Sequence, residues 1–266
     1  MKTTSTQGTA LITGASTGIG AIYADRLAKR GFDLILVARS EERLQTVAKR
    51  IGETSGRDIK IIKADLNNKA DLGRVEAVLR DDAQITMLVN NAGFGAVTPL
   101  LQSNIEKMEE MISLNVSALT RLTYAAVPGF VARGRGAIIN ISSIVAIGPE
   151  ILNGVYGASK AFVLALTQSL QHEVASKGVR VQTVLPGATA TEFWDVAGLP
   201  HSNLPENSVM SSEAMVDAAL VGFDQGEVVT IPPLQDGQAW TAYEAQRKAM
   251  TQQFSHATPG ARYLRR

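Results

Sequence analysis

Short, almost unbroken apolar runs alternate along this chain with longer segments whose apolar residues recur at helical spacing. Residues 9–13, 33–38, 59–64, 86–90, 136–141, 179–185 and 228–231 read as strands, and 18–30, 41–52, 69–80, 105–132, 155–176 and 213–224 as helices. Strands that are apolar at nearly every position suit a parallel sheet covered on both faces. The alternation predicts an α/β fold: a single doubly wound Rossmann-type domain over 1–266, with a parallel sheet of about seven strands and helices on both faces. Residues 188–210, which include Pro200 and Pro205, read as a long loop, the kind that often covers a site. Residues 232–266 read as a C-terminal tail.

Composition narrows the function classes. The 266 residues carry a formal net charge of +1 and no cysteine. A balanced charge gives no electrostatic reason to expect nucleic acid. The lack of cysteine excludes disulfides, a thiol nucleophile and thiolate metal sites, and fits a reducing, cytoplasmic location. His172, His201 and His256 are scattered without ligand spacing, so no metal site is expected. The first eight residues are polar and predict no signal peptide. The longest apolar runs, such as 34–38, are far shorter than the ~20 residues of a membrane span.

The first predicted strand runs into Thr13-Gly14-Ala15-Ser16-Thr17-Gly18-Ile19-Gly20. Ligands of open α/β sheets bind at the carboxyl ends of the strands. There Gly14 closes the strand, Gly18 lets the backbone approach a pyrophosphate, and Gly20 lets the helix pack on the sheet. The helix N-terminus directs its N–H groups at the phosphates. At the end of the second strand, Leu36-Val37-Ala38-Arg39-Ser40 offers no carboxylate for a ribose 2′-hydroxyl. Arg39 can instead pair with a 2′-phosphate, which favours NADP(H) over NAD(H).

Tyr156 and Lys160 lie in Tyr156-Gly157-Ala158-Ser159-Lys160, with Ser143 upstream. The spacing puts Tyr156 and Lys160 on one helix face. A free phenol, with a pKa near ~10, is too weak an acid for efficient proton transfer near neutrality. A neighbouring ammonium group is expected to lower it. Tyr-x-x-x-Lys alone is a short pattern with real false-positive risk, so its order after the glycine turn matters.

Together with Asn90-Asn91-Ala92-Gly93, Asn115 and Pro186-Gly187, these motifs resemble the short-chain dehydrogenase/reductase family over residues from about 9 to 231. The resemblance implies a catalytic set of Asn115, Ser143, Tyr156 and Lys160. Ser143 would hydrogen-bond the substrate oxygen, Lys160 would hold the cofactor ribose, and Asn115 would position a water. It also implies cofactor contacts from Gly14, Ser16, Gly18, Ile19, Gly20, Arg39, Asp65, Asn91, Gly93, Tyr156, Lys160, Pro186, Gly187, Thr189 and Thr191. Asn91 could equally brace the sheet, and Thr191 could cap a helix. The family's long helices form a two-fold interface, so the resemblance implies a homodimer or homotetramer. Ile231-Pro232-Pro233 and the following tail depart from the Gly-Gly ending of many members, which puts the tetramer in doubt.

The expected function is NADPH-dependent reduction of a ketone or aldehyde to an alcohol, reversibly, with Tyr156 as proton donor. Ile144, Val145, Ile147, Ile151, Leu152, Phe193 and Trp194 suggest an apolar carbonyl compound, although core packing would explain them as well. A 3-oxoacyl thioester reductase is an alternative, with Arg133, Arg135 and Lys177 available to an acidic carrier. A non-catalytic NADPH-binding sensor has no need of Tyr156. A nucleotide-fold methyltransferase would want an acid where Ala38-Arg39 stands.

Overall fold

The computed structural model describes residue 5 and residues 7–199 and 201–264; Pro200, residues 1–4 and residue 6 of the polar N-terminus lie outside them. Contacts divide the chain into two units, Met1–Pro232 and Pro233–Arg266.

The first unit is built on seven strands: β1 (Thr9–Thr13), β2 (Asp33–Ala38), β3 (Ile59–Lys63), β4 (Ile85–Asn90), β5 (Gly136–Ile141), β6 (Val179–Val184) and β7 (Val229–Thr230). They form one sheet in the order β3-β2-β1-β4-β5-β6-β7, and every pairing is parallel. This is the doubly wound Rossmann-type arrangement expected from the sequence. The strand order reverses between β1 and β4, where such sheets open a crevice at their carboxyl edge.

Alternate residues of each strand serve opposite faces. Ala10, Ile12, Leu34, Leu36 and Val89 pack with helices α1 (Gly18–Lys29), α2 (Glu41–Ser55) and α8 (Ser212–Asp224), through Leu27, Leu44 and Val216. Leu11, Ile35, Val37 and Leu88 face the other way, onto α3 (Lys69–Asp81), α5 (Leu119–Ala132) and α6 (Gly154–Val174), through Val75, Phe130 and Val174. Both faces are therefore dry, which explains the unbroken apolar runs. Edge strand β3 differs: it exposes Lys60 and Lys63, and such charges discourage edge-to-edge pairing.

The helix expected over 105–132 is continuous but not uniform. α4 (Ile105–Ile112) widens into a π segment, Ser113–Ala118, before α5. The stretch 188–210 is not irregular throughout. It contains a short helix, α7 (Phe193–Ala197), and a parallel bridge between Thr189 and Met210.

The second unit carries α9 (Gly237–Thr251), capped by Asp236 and without a single buried residue. Trp240 and Tyr243 stack on its surface at 5.3 Å.

Candidate active site

The glycine turn leaves β1 with two residues in left-handed backbone, Gly14 at φ 65° and Gly18 at φ 52°, a region that favours glycine. Each is also tightly enclosed. A Cβ on Gly14 would lie 2.7 Å from Asn91 Nδ2, one on Gly18 would lie 3.1 Å from Thr191 Cγ2, and one on Gly20 would collide with Gly14 O. Gly20 therefore lets α1 sit on the strand, as expected. Thr17 precedes α1 without a capping side-chain hydrogen bond, whereas Ser40, Asn68, Asn153 and Ser211 cap their helices. The first N–H groups of α1 are thus left available to an anion. Ser16 and Gly18 line a 350 Å³ cavity beside the turn with Thr46, Val47 and Arg50 of α2. Ile19 packs against the core.

The remaining cofactor-binding candidates are placed unequally. Arg39 is exposed at the end of β2 and makes no ion pair among the described residues. Asp65 accepts from Asn67 N at 3.0 Å, and its own N–H donates to Asp71 Oδ2 at 2.8 Å. Asn91 donates its amide to Thr13 O and Gly14 O at 2.9 and 3.0 Å, so it braces β1 against β4. Gly93 is packed so closely that a Cβ there would sit 2.8 Å from Asn115 Oδ1 and 3.6 Å from Lys160 Nζ. Pro186 O accepts from Ile144 N at 3.0 Å, and Gly187 O accepts from the Thr189 hydroxyl at 3.2 Å. The Thr191 hydroxyl accepts from Phe193 N at 3.3 Å, in the turn that leads into α7, whose N-cap position is Glu192.

The four expected catalytic residues converge at the carboxyl edge of β4 and β5, and all are buried. Asn153 starts α6 by accepting from Val155 N and Tyr156 N, and anchors it by donating to Thr98 O at 2.6 Å. This cap was not anticipated, although an Asn three residues before the tyrosine is a readable N-cap signal. Lys160 follows one turn later, with Nζ 5.8 Å from the Tyr156 ring centre and donating to Ile141 O at 2.9 Å. The Ser142 hydroxyl holds the Lys160 carbonyl at 2.8 Å. Asn115 sits in the π segment, accepts from Phe94 N at 3.1 Å, and donates to Phe94 O and Ser159 Oγ at 2.9 and 3.2 Å. The roles of Ser159 and the Phe94 backbone had no signal of their own in the sequence.

Burial sets the acidities. It pushes the Tyr156 phenol up to about 12, with hydrogen bonding from Ser143 pulling the other way. It draws Lys160 down to about 8. The sequence suggested that the lysine would lower the phenol. In the structure desolvation of the buried phenol dominates, because Lys160 lies beside the ring and spends a hydrogen bond on Ile141 O.

The apolar wall also differs from expectation. Trp194 is buried, and its indole N–H donates to Thr189 O at 2.9 Å, so it anchors the loop. Phe193, its neighbour, stands against Tyr156 with ring centroids 5.7 Å apart. Val145, Leu152 and Val155 complete an apolar cluster around the phenol, while Ile147 and Ile151 are exposed. Among the described residues no cluster of His, Asp or Glu could hold a metal, and no helix is long and apolar enough to cross a membrane.

A family model described as short chain dehydrogenase matches residues 8–198. A short-chain dehydrogenase from Sphingobium yanoikuyae, solved in complex with NADPH, is 48% identical with a TM-score of 0.94, over 97% of this chain and 100% of that one. A bulky-bulky ketone specific alcohol dehydrogenase from Comamonas testosteroni is 43% identical with a TM-score of 0.89, over 97% and 99%. The very-long-chain 3-oxoacyl-CoA reductase of Anas platyrhynchos is 38% identical over 189 residues, 69% of this chain. The matched region spans 60% of that reductase's length.

Proposed function

The chain belongs to the short-chain dehydrogenase/reductase family of oxidoreductases, and on that premise we propose that it reduces a bulky, apolar ketone to an alcohol with NADPH. The observation that carries this reading is the convergence of buried Ser143 and Lys160 on Tyr156, whose ring packs against Phe193. When bound, the reduced nicotinamide supplies the hydride. The Tyr156 phenol donates its proton to the carbonyl oxygen, and the Ser143 hydroxyl donates a hydrogen bond to that oxygen. The Lys160 ammonium stabilises the phenolate that remains. Asn115 fixes the turn at Gly93 and Phe94 through both ends of its amide.

Several features of the carboxyl edge fit a dinucleotide phosphate. The uncapped start of α1 and the two left-handed glycines leave room and N–H donors for a pyrophosphate. Arg39, without an ion pair among the described residues, suits a 2′-phosphate. Asp65, Asn91, Gly93, Pro186, Gly187, Thr189 and Thr191 would line the remaining length, with Asn91 acting through Gly14 rather than by direct contact. The NADPH complex of the Sphingobium protein and the named substrate class of the Comamonas protein support the choice of cofactor and ketone.

We place the enzyme in the cytoplasm, as a homodimer or homotetramer built on one catalytic domain with a C-terminal tail. The test of function is NADPH oxidation measured with small and bulky ketones, aldehydes, steroids and 3-oxoacyl thioesters. Turnover of bulky ketones is expected. Turnover of thioesters alone would replace this substrate class, and no turnover of any carbonyl would overturn the catalytic reading.

A further inference from the structure

The loop that carries Phe193 is tied to the opposite wall of the cofactor crevice by one ion pair. Arg43 lies in the first turn of α2, where its N–H donates to the capping hydroxyl of Ser40. Its Nη1 reaches Glu192 Oε2 at 2.7 Å, and both side chains stay solvated, 56% and 59% exposed. Glu192 immediately precedes α7, and Phe193 is the first residue of that helix. Thr191, just before, rests against Gly18 of the glycine turn. A short path therefore runs from the tip of Arg43, across the ion pair to Glu192 and along one peptide bond, to the Phe193 ring that packs on Tyr156.

We propose that the Arg43–Glu192 ion pair is a latch coupling the adenosine 2′-phosphate of the cofactor to the position of Phe193 over Tyr156. The inference rests on the NADPH reading above. Arg39 precedes α2 and Arg43 stands in its first turn, so two guanidinium groups border this corner, where Ser40 already caps the helix and Glu41 and Glu42 share the turn. A phosphate ester carries more charge than a carboxylate and offers more acceptor oxygens to a guanidinium. When it enters beside Arg39, it takes Arg43 from Glu192. The loop then stays tethered by the Thr189–Met210 bridge, while the short helix from Glu192 through Trp194 loosens to admit a bulky carbonyl. The phosphate would thus contribute to substrate entry as well as to cofactor affinity.

The test needs no turnover. The chain has two tryptophans, so Trp240→Phe leaves Trp194 as the reporter, two residues from Glu192. Adenosine 2′,5′-bisphosphate and adenosine 5′-monophosphate are titrated by calorimetry, and acrylamide quenching of Trp194 is read at saturation. The bisphosphate should raise the quenching constant about two- to fivefold, within the range that a surface ion pair controls, and the monophosphate should not. In Glu192→Gln the quenching constant should already be high without ligand. The bisphosphate should also bind that variant more tightly by up to the same factor, because coupling is reciprocal. If the bisphosphate binds more tightly than the monophosphate but leaves Trp194 unchanged, the latch is refuted and the cofactor reading stands. The latch is also refuted if Glu192→Gln quenches like its parent. Equal affinity for the two nucleotides would remove the 2′-phosphate reading and the latch with it.

Discussion

Phe193 packs its ring against Tyr156, with centroids 5.7 Å apart and planes tilted by 44°. The same ring lies so close to the backbone at Gly95 that any side chain there would strike it. The approach to the phenol is therefore walled by one aromatic side chain on a short helix, and that helix hangs on Trp194.

Phe193→Ala should change the ratio of kcat/KM for a bulky ketone over a small one by at least ~10-fold, the lower range for apolar pocket changes. Trp194→Ala should instead loosen the loop, because it removes a buried anchor. It should raise KM for both ketones together. The two variants are compared over the same substrate pair. A ratio altered by Trp194→Ala and not by Phe193→Ala would mean that the wall has been assigned to the wrong ring.

Tyr156→Phe keeps the ring and removes the acid. Turnover should fall at least ~100-fold, the low end for a general acid, while NADPH still binds in a fluorescence titration. Near-normal turnover would end the case for Tyr156 as proton donor.

Acidity predicts an alkaline limit. With Lys160 drawn down to about 8, its charge is lost above that pH, and the phenolate left by proton transfer loses its neighbouring cation. The kcat/KM for reduction should decline on an alkaline limb near about 8. Stability moves the other way. An unfolded lysine still binds its proton between about 8 and the ordinary value of 10.5, so unfolding takes up a proton in that window and stability rises with pH there. Urea midpoints of the native protein and of Lys160→Met, measured across that window, should diverge. Parallel midpoints would show that the lysine is not desolvated.

Cofactor choice should follow the end of β2. NADPH is expected to bind at least ~10-fold more tightly than NADH, and Ala38→Asp with Arg39→Ala should reverse the order. Equal wild-type affinities in a titration would remove Arg39 from the site.

Assembly should be at least dimeric. Leu101, Ile105 and Ile112 are exposed at and along α4, Tyr124 on α5 and Phe162 on α6. A two-fold contact is the commonest way to cover such surface. Light scattering at micromolar concentration reads this directly, and a monomer would refute it.

How legible these features were depended on burial. The expected strands 33–38 and 136–141 match β2 and β5 residue for residue, because a strand dry on both faces leaves an unbroken apolar run. The π segment was invisible, since Ser113–Ala118 has the composition of any helix and its widening serves Asn115. α7 was missed because it has only five residues, and a helix was only one of the options the tail offered, since α9 buries no residue and has no core-facing stripe to read. The sequence could place Phe193 and Trp194 near the site but could not say which ring faces it. Adjacent helical residues point about 100° apart, and only the hydrogen bond from Trp194 to Thr189 O decides between them.

The strand order has a consequence for synthesis. β1 is the first strand to be made and lies between β2 and β4. Its hydrogen bonds to β4 join residues 9–12 to residues 85–89, so one edge of β1 stays open while the intervening chain is being made. Once Asn91 is out, it can clamp Thr13 and Gly14, and β3, β2, β1 and β4 can form a four-stranded part of the sheet. Its outer edge, β4, then waits for β5 and for the helix bearing Tyr156 and Lys160. The strands that carry the glycine turn are thus all made before the catalytic residues, and an apolar strand edge is without its partner in the interval, the situation in which nascent chains aggregate or engage chaperones.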